Sequence, residues 1–110
     1  MAVLTVESSP MRVKVKERFN VQLWTNQTRQ EGQSLEVRRI VVLEDPDENE
    51  YNMPLNGPIV VQADSHNSFF FENLRFEKGG EGRLWPIKFR LELAGKKVVS
   101  TTLEIEVEDA

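Results

Sequence analysis

SFFFENLRF (residues 68–76), LWPIKFRLEL (84–93) and KVVSTTLEIEVED (97–109) follow one another at the carboxyl-terminal end of the chain, separated by glycine-containing turns. In the third stretch Leu103, Ile105 and Val107 alternate with Thr102, Glu104 and Glu106. In the second, Trp85, Ile87, Phe89, Leu91 and Leu93 alternate with Lys88, Arg90 and Glu92. A side-chain period of two belongs to a strand with one buried and one wetted face, as in an antiparallel sheet. Between Phe71 and Leu74 the apolar phase slips by one residue, the mark of a β-bulge.

Upstream the same rhythm recurs in shorter pieces. Residues 2–6, AVLTV, form a β-prone run closed by Ser8-Ser9-Pro10. Met11, Val13 and Val15 then alternate with Arg12, Lys14 and Lys16, and Phe19, Val21 and Leu23 with Asn20, Gln22 and Trp24. Glu17 falls on the apolar parity, so a kink at Lys16-Glu17-Arg18 is expected to divide two strands. NQTRQEGQS (26–34) reads as a polar connection, 35–43 as a strand, 44–58 as a loop rich in proline and Asn-Gly signals, and 59–63 as a short strand. No stretch carries a capped 3.6-residue period, and segment lengths between turn signals favour strands throughout.

The 110 residues fit one domain with a single core. A hydrophobic fraction of 39% and a charged fraction of 29% belong to a folded, soluble chain. Fourteen Lys and Arg against eighteen Asp and Glu give a net charge of −4, which provides no global attraction to phosphate backbones. The chain has no cysteine, so disulfides and thiolate metal sites are excluded, and a reducing, intracellular compartment (cytoplasm or nucleus) is the expectation. MAVLTVESSPM has no basic segment leading into a long apolar one, and nothing approaches the roughly 20 apolar residues that span a bilayer. The pattern is that of a soluble module of the kind that can be excised from a larger protein.

Seven or eight short strands in this length match an all-β, antiparallel, two-sheet sandwich. The layout resembles the immunoglobulin-like fold. Val13-x-Val15-x-x-x-Phe19-x-Val21-x-Leu23 is similar to the entry strands of such domains. Phe71-x-x-Leu74-x-Phe76, a glycine turn and Trp85-x-Ile87-x-Phe89-x-Leu91 resemble their strands E and F. Residues 97–107 then resemble strand G, reached through an Ala94-Gly95-Lys96 hairpin. The chain departs from antibody-type domains in lacking both cysteines and the corner tyrosine, where Leu84 and Trp85 stand. A looser similarity, through FFFENLRF and the strand after it, is to the velvet and Rel-type immunoglobulin-like group, which implies DNA binding by basic loops. The expected core comprises Val13, Val15, Phe19, Val21, Leu23, Val37, Val41, Phe71, Leu74, Trp85, Ile87, Phe89, Leu91, Leu103, Ile105 and Val107.

Candidate binding residues are few. Arg12, Lys14, Lys16 and Arg18 form a basic stripe whose members project about 7 Å apart, near the spacing of phosphates along one strand. The same residues also read as lysine-rich edge protection against sheet-to-sheet pairing, a reading favoured by the lack of an interleaved aromatic. Arg83 and Lys88 would extend a nucleic-acid surface. Trp24, on the polar parity, is a candidate interface anchor or a cover for the sheet end. Arg38 and Arg39 fall on opposite faces of one strand, so one must point inward or sit at a frayed end, with a salt bridge to a neighbouring glutamate expected rather than a ligand.

Catalytic chemistry finds little support. His66 is the only histidine and the chain has no cysteine, so thiol nucleophiles and zinc sites of three or more imidazole or thiolate ligands are excluded. The acidic run 44–50 has oxygen side chains at 45, 47 and 49, but position 50 is glutamate where a calcium loop needs glycine. No metal and no cofactor are expected. The sequence therefore points to a non-catalytic protein–protein interaction module, with nucleic-acid binding through residues 12–18 as the alternative and an exposed-aromatic carbohydrate site as a third class. Unpaired edge strands permit dimerisation by strand addition without demanding it.

Overall fold

A computed structural model describes residues 2–27, 35–44, 50–52, 55–77, 82–92 and 98–109. Its strongest pairing is the one most visible in the sequence. Strand β9 (Arg83–Glu92) and strand β10 (Val98–Glu108) run antiparallel in unbroken register from Val98↔Glu92 to Val107↔Arg83. Their alternate side chains Trp85, Ile87, Phe89, Leu91, Ile105 and Val107 are all buried. The earlier strands are β1 (Leu4–Ser8), β2 (Arg12–Lys14), β3 (Phe19–Thr25), β4 (Glu36–Glu44), β5 (Glu50–Asn52), β6 (Leu55–Asn56), β7 (Val60–Gln62) and β8 (Ser68–Phe76).

They form two layers. One sheet has the order β1-β3-β8-β6; the other has the order β2-β10-β9-β4-β5, with β7 also paired to β4. All pairings are antiparallel except β2 with β10, where Val13 lies beside Val107 in parallel. An opening strand that pairs first with the second strand of one sheet, then with the last strand of the other, is the immunoglobulin-like arrangement. The protein is an immunoglobulin-like β-sandwich. All eight expected strands are present, and β5 and β6 are added within 44–58, which the turn signals had marked as loop. Residues 45–49, 53 and 54 lie outside the described residues, as do the 94–96 turn and most of the 26–34 connection.

The crossing from β2 to β3 shows why the kink forms. Val15 N–H donates to Glu108 O in one sheet at 2.9 Å, and the next amide, Lys16 N–H, donates to Phe76 O in the other at 2.8 Å. Consecutive residues thus belong to different layers, with Lys16 at φ 69° to make the change of direction. Glu17, out of phase for a strand, closes the turn instead: its Oε2 accepts from Lys14 N–H at 2.8 Å and its own N–H donates to Lys14 O.

The bulge lies where the apolar phase slips. Val21 pairs with Phe71 but Phe19 pairs with Leu74, so β8 spends one extra residue between them. Asn73 takes φ 59° there, and its N–H donates to Asn20 Oδ1 at 2.9 Å. Asparagine tolerates this left-handed conformation better than most residues. The bulge returns Leu74 and Phe76 to the core after Phe71, and all three are fully buried.

The core closes between the layers. Phe71 of one sheet meets Phe89 of the other with ring centroids 5.1 Å apart in a tilted geometry, and Phe19 stacks on Phe76 at 5.6 Å. Such aromatic pairs add about 0.5–1.5 kcal/mol beyond area burial. Leu4, Leu35, Leu55, Phe69 and Phe76 join the expected core, whereas Val15 and Leu103 are only partly buried at its margin. The side chain of Val41 lies outside the described residues.

Candidate functional site

The basic stripe does not form a continuous row. Arg12 and Lys14 project from the short edge strand β2, Lys16 occupies the sheet-crossing turn, and Arg18 follows it; all four are exposed. The parallel register sets Arg12 beside Glu106 and Lys14 beside Glu108. Arg12 Nε donates to Glu106 Oε2 at 2.9 Å and lies 3.2 Å from Glu108 Oε1. That hydrogen bond, reinforced by the charges of Glu106 and Glu108, raises the Arg12 pKa above its ordinary value. The stripe is therefore interleaved with carboxylates, and a phosphate approaching Arg12 would have to displace two of them. Lys88 is half-buried on β9 opposite Thr102, remote in register from β2, and the Arg83 side chain lies outside the described residues.

Trp24 sits on the outer face of the four-stranded sheet, 36% exposed. Its strand pairs with β8 so that Gln22 lies opposite Phe70 and Trp24 opposite Ser68. Phe70 is 43% exposed and diagonal to Trp24 on the same face, within the roughly 7–8 Å reach of cross-strand diagonal neighbours. Thr5, Asn20, Gln22 and Glu72 surround the two rings with polar side chains. Phe70 was missed in the sequence, although a signal was there: Phe71 is on the buried parity, so its neighbour Phe70 must turn outward.

Arg38 and Arg39 divide as the strand period requires, but among the described residues the inward member is held by backbone carbonyls and by no glutamate. Arg39 Nε donates to Pro58 O at 2.6 Å, and its Nη2 donates to Leu55 O and Gly57 O, both at 2.9 Å. A planar guanidinium with several donors can satisfy three converging carbonyls, which a carboxylate partner would not do. Partial burial lowers its pKa from the ordinary arginine value. This side chain thus fastens the 55–58 segment that carries the chain from β6 in one sheet to β7 in the other.

Residues 64–68 form a tight turn held by Asp64. Its Oδ1 accepts from His66 N–H at 2.8 Å and Ser68 N–H at 3.0 Å, while Asn67 takes φ 62°. His66 itself is an exposed turn residue. Among the described residues no group of three or more His, Asp or Glu is placed to hold a metal ion. The acidic positions 45–49 lie outside them. Also among the described residues, no helix is long and apolar enough to cross a membrane.

No family model matches the sequence, and no curated protein matches it. Among solved structures, a conjugative transposon lipoprotein from Bacteroides eggerthii DSM 20697 is similar with a TM-score of 0.56 and 8% identity, over 94% of this chain and 95% of that one. Murine CRIg is similar more loosely, with a TM-score of 0.44 and 13% identity over 98% of each chain. The likeness to the lipoprotein is one of fold. Sequence is not shared, and the site residues above are this chain's own.

Proposed function

We propose that this domain is a non-catalytic protein-interaction module that engages its partner through the outer face of the four-stranded sheet, centred on Trp24 and Phe70. One observation carries the reading: two large aromatics stand exposed side by side on a regular sheet face with polar neighbours around them. Interfaces concentrate binding energy in such aromatic anchors and surround them with a polar rim. Trp and Phe lose little conformational entropy when they dock, because each has only two side-chain torsions. The rigid β3–β8 pairing holds both rings in place before a partner arrives, which lowers the ordering cost of association.

The proposed partner is another protein, in an intracellular setting consistent with the absence of cysteine. Nucleic-acid binding is disfavoured by the carboxylates that engage Arg12 and by the net charge of −4. The test is affinity capture from nuclease-treated host-cell lysate with wild type, Trp24→Ala/Phe70→Ala and Lys14→Glu, each shown by circular dichroism to be folded. A protein retained by wild type and Lys14→Glu but lost by the aromatic double variant supports the reading. Capture that vanishes with nuclease treatment, or that ignores the aromatic change, refutes it.

A further inference from the structure

The opposite outer face, that of the six-stranded sheet, carries a charge pattern that no ion pair neutralises among the described residues. Strands β4 and β9 pair with Val37 opposite Leu91 and Arg38 opposite Arg90, which sets Glu36 opposite Glu92. Val37 and Leu91 are fully buried, so the four charged residues point outward together. They line one shallow depression with Val60, which is 38% exposed. The face thus presents a row of two carboxylates and, about 7 Å along the strands, a row of two guanidiniums.

Like charges placed directly opposite each other across a strand pair destabilise it. Among the described residues no ion pair joins any of the four to another group, and Glu36 receives only a 3.4 Å hydrogen bond from Gln62 Nε2. Arg90 Nε is buried from solvent without a hydrogen-bond partner among the described residues. A buried donor left unmet is costly, and here it belongs to a cation. The flanking strand offers no relief, since Arg90 lies opposite Ser100 and Glu92 opposite Val98 on β10.

We propose that this face pairs with a second copy of the chain. The pattern is self-complementary under one symmetry operation. A two-fold axis lying in the interface, across the strands and midway between the rows, places the Arg38–Arg90 row of each copy on the Glu36–Glu92 row of the other. An axis along the strands would set glutamate on glutamate, so the charges select one orientation. Closed two-fold contacts of this isologous kind are the commonest route to a dimer. A second copy carries the required charges at the required spacing by construction; any other occupant would have to present them independently. In the dimer the outward-facing ends of the Arg38 and Arg90 side chains meet carboxylates of the partner subunit, and Val60 and Val98, both exposed, border the contact.

Sedimentation equilibrium on the full chain tests this. The wild-type dimer should weaken by at least about tenfold between roughly 0.01 M and 1 M salt, over which the screening length falls from about 30 Å to about 3 Å. Arg38→Glu/Arg90→Glu gives a face of four carboxylates and Glu36→Arg/Glu92→Arg a face of four guanidiniums; each alone should be monomeric. Their equimolar mixture should form a heterodimer. A wild type that stays monomeric at low salt overturns the proposal, as do a dimer that survives both reversals and a mixture of folded variants that does not associate. Should either variant fail to fold, the wild-type salt series decides the question by itself.

Discussion

Arg39 offers the sharpest test of how the two sheets are tied together. Replacing it by methionine keeps a side chain of similar length and removes every donor. Three carbonyls, those of Leu55, Gly57 and Pro58, then lose their partner at once. Hydrogen bonds from a charged donor are worth about 1.5–3 kcal/mol each, but three that share one guanidinium do not add independently. Water can reach the Gly57 carbonyl, and burying the guanidinium carries a desolvation penalty, visible in its lowered pKa. The expected net loss is therefore about 2–4 kcal/mol, with roughly half of that for Arg39→Lys, whose ammonium cannot span all three acceptors. Urea unfolding followed by tryptophan fluorescence measures it, with the slope unchanged if only stability is affected. Amide exchange should accelerate at Leu55, Val60 and Val61 well before it does in β9 and β10, because the fastening holds the β6–β7 passage and not the β9–β10 ladder. An Arg39→Met protein within about 0.5 kcal/mol of wild type, the range of an ordinary surface substitution, would show that the three bonds are geometric coincidence.

Other positions give independent checks. Gly57 has φ 125°, and a Cβ there would stand 2.8 Å from Leu74 Cδ2 and 3.2 Å from Asn73 O; Gly57→Ala should cost roughly 2–3 kcal/mol, lowering the melting temperature by several degrees per kcal/mol. Trp85 packs in the core with no partner for its Nε1 among the described residues. Trp85→Phe, which removes that unmet donor, should cost about 1.5 kcal/mol or less in urea unfolding, whereas Trp85→Ala should cost about 3–5 kcal/mol. Asp64→Ala frees the amides of His66 and Ser68 and should destabilise by about 1–2 kcal/mol, whereas Asp64→Asn should retain most of the turn; thermal melts of the pair separate the acceptor from the charge.

What could be read from the residues was whatever the chain's local rhythm records. Strands β8, β9 and β10 bury one face, so their parity shows directly. Departures from parity were as informative as parity itself: the slip between Phe71 and Leu74 marked the bulge at Asn73, and Glu17 marked the crossing at Lys16. Strands β5 and β6 were hidden because they are two or three residues long and lie among proline and Asn-Gly signals, which describe the turns between them. Among the side chains described there, the buried apolar one is Leu55, and one residue is too little to make a period.

The candidate surfaces were harder to read because each depends on a partner far away in the chain. Arg12 looks like a phosphate ligand until the parallel β2–β10 pairing sets Glu106 beside it, 94 residues later. Arg38 and Arg90 lie 52 positions apart, and only the β4–β9 register shows that they stand opposite each other. Had that register slipped by one residue, Arg38 would face Phe89 or Leu91, and the buried and exposed sets of the strand would exchange faces. The depth of burial at Val37, Phe89 and Leu91 forbids that slip, so the core that could be read from the sequence is what holds the unreadable charge rows in place. Reversing the charge at Arg38 and Arg90 should therefore leave the fold almost unchanged and alter association alone. Weakening Val37 or Leu91 should do the opposite, and that separation is measurable in the same two assays, unfolding and sedimentation.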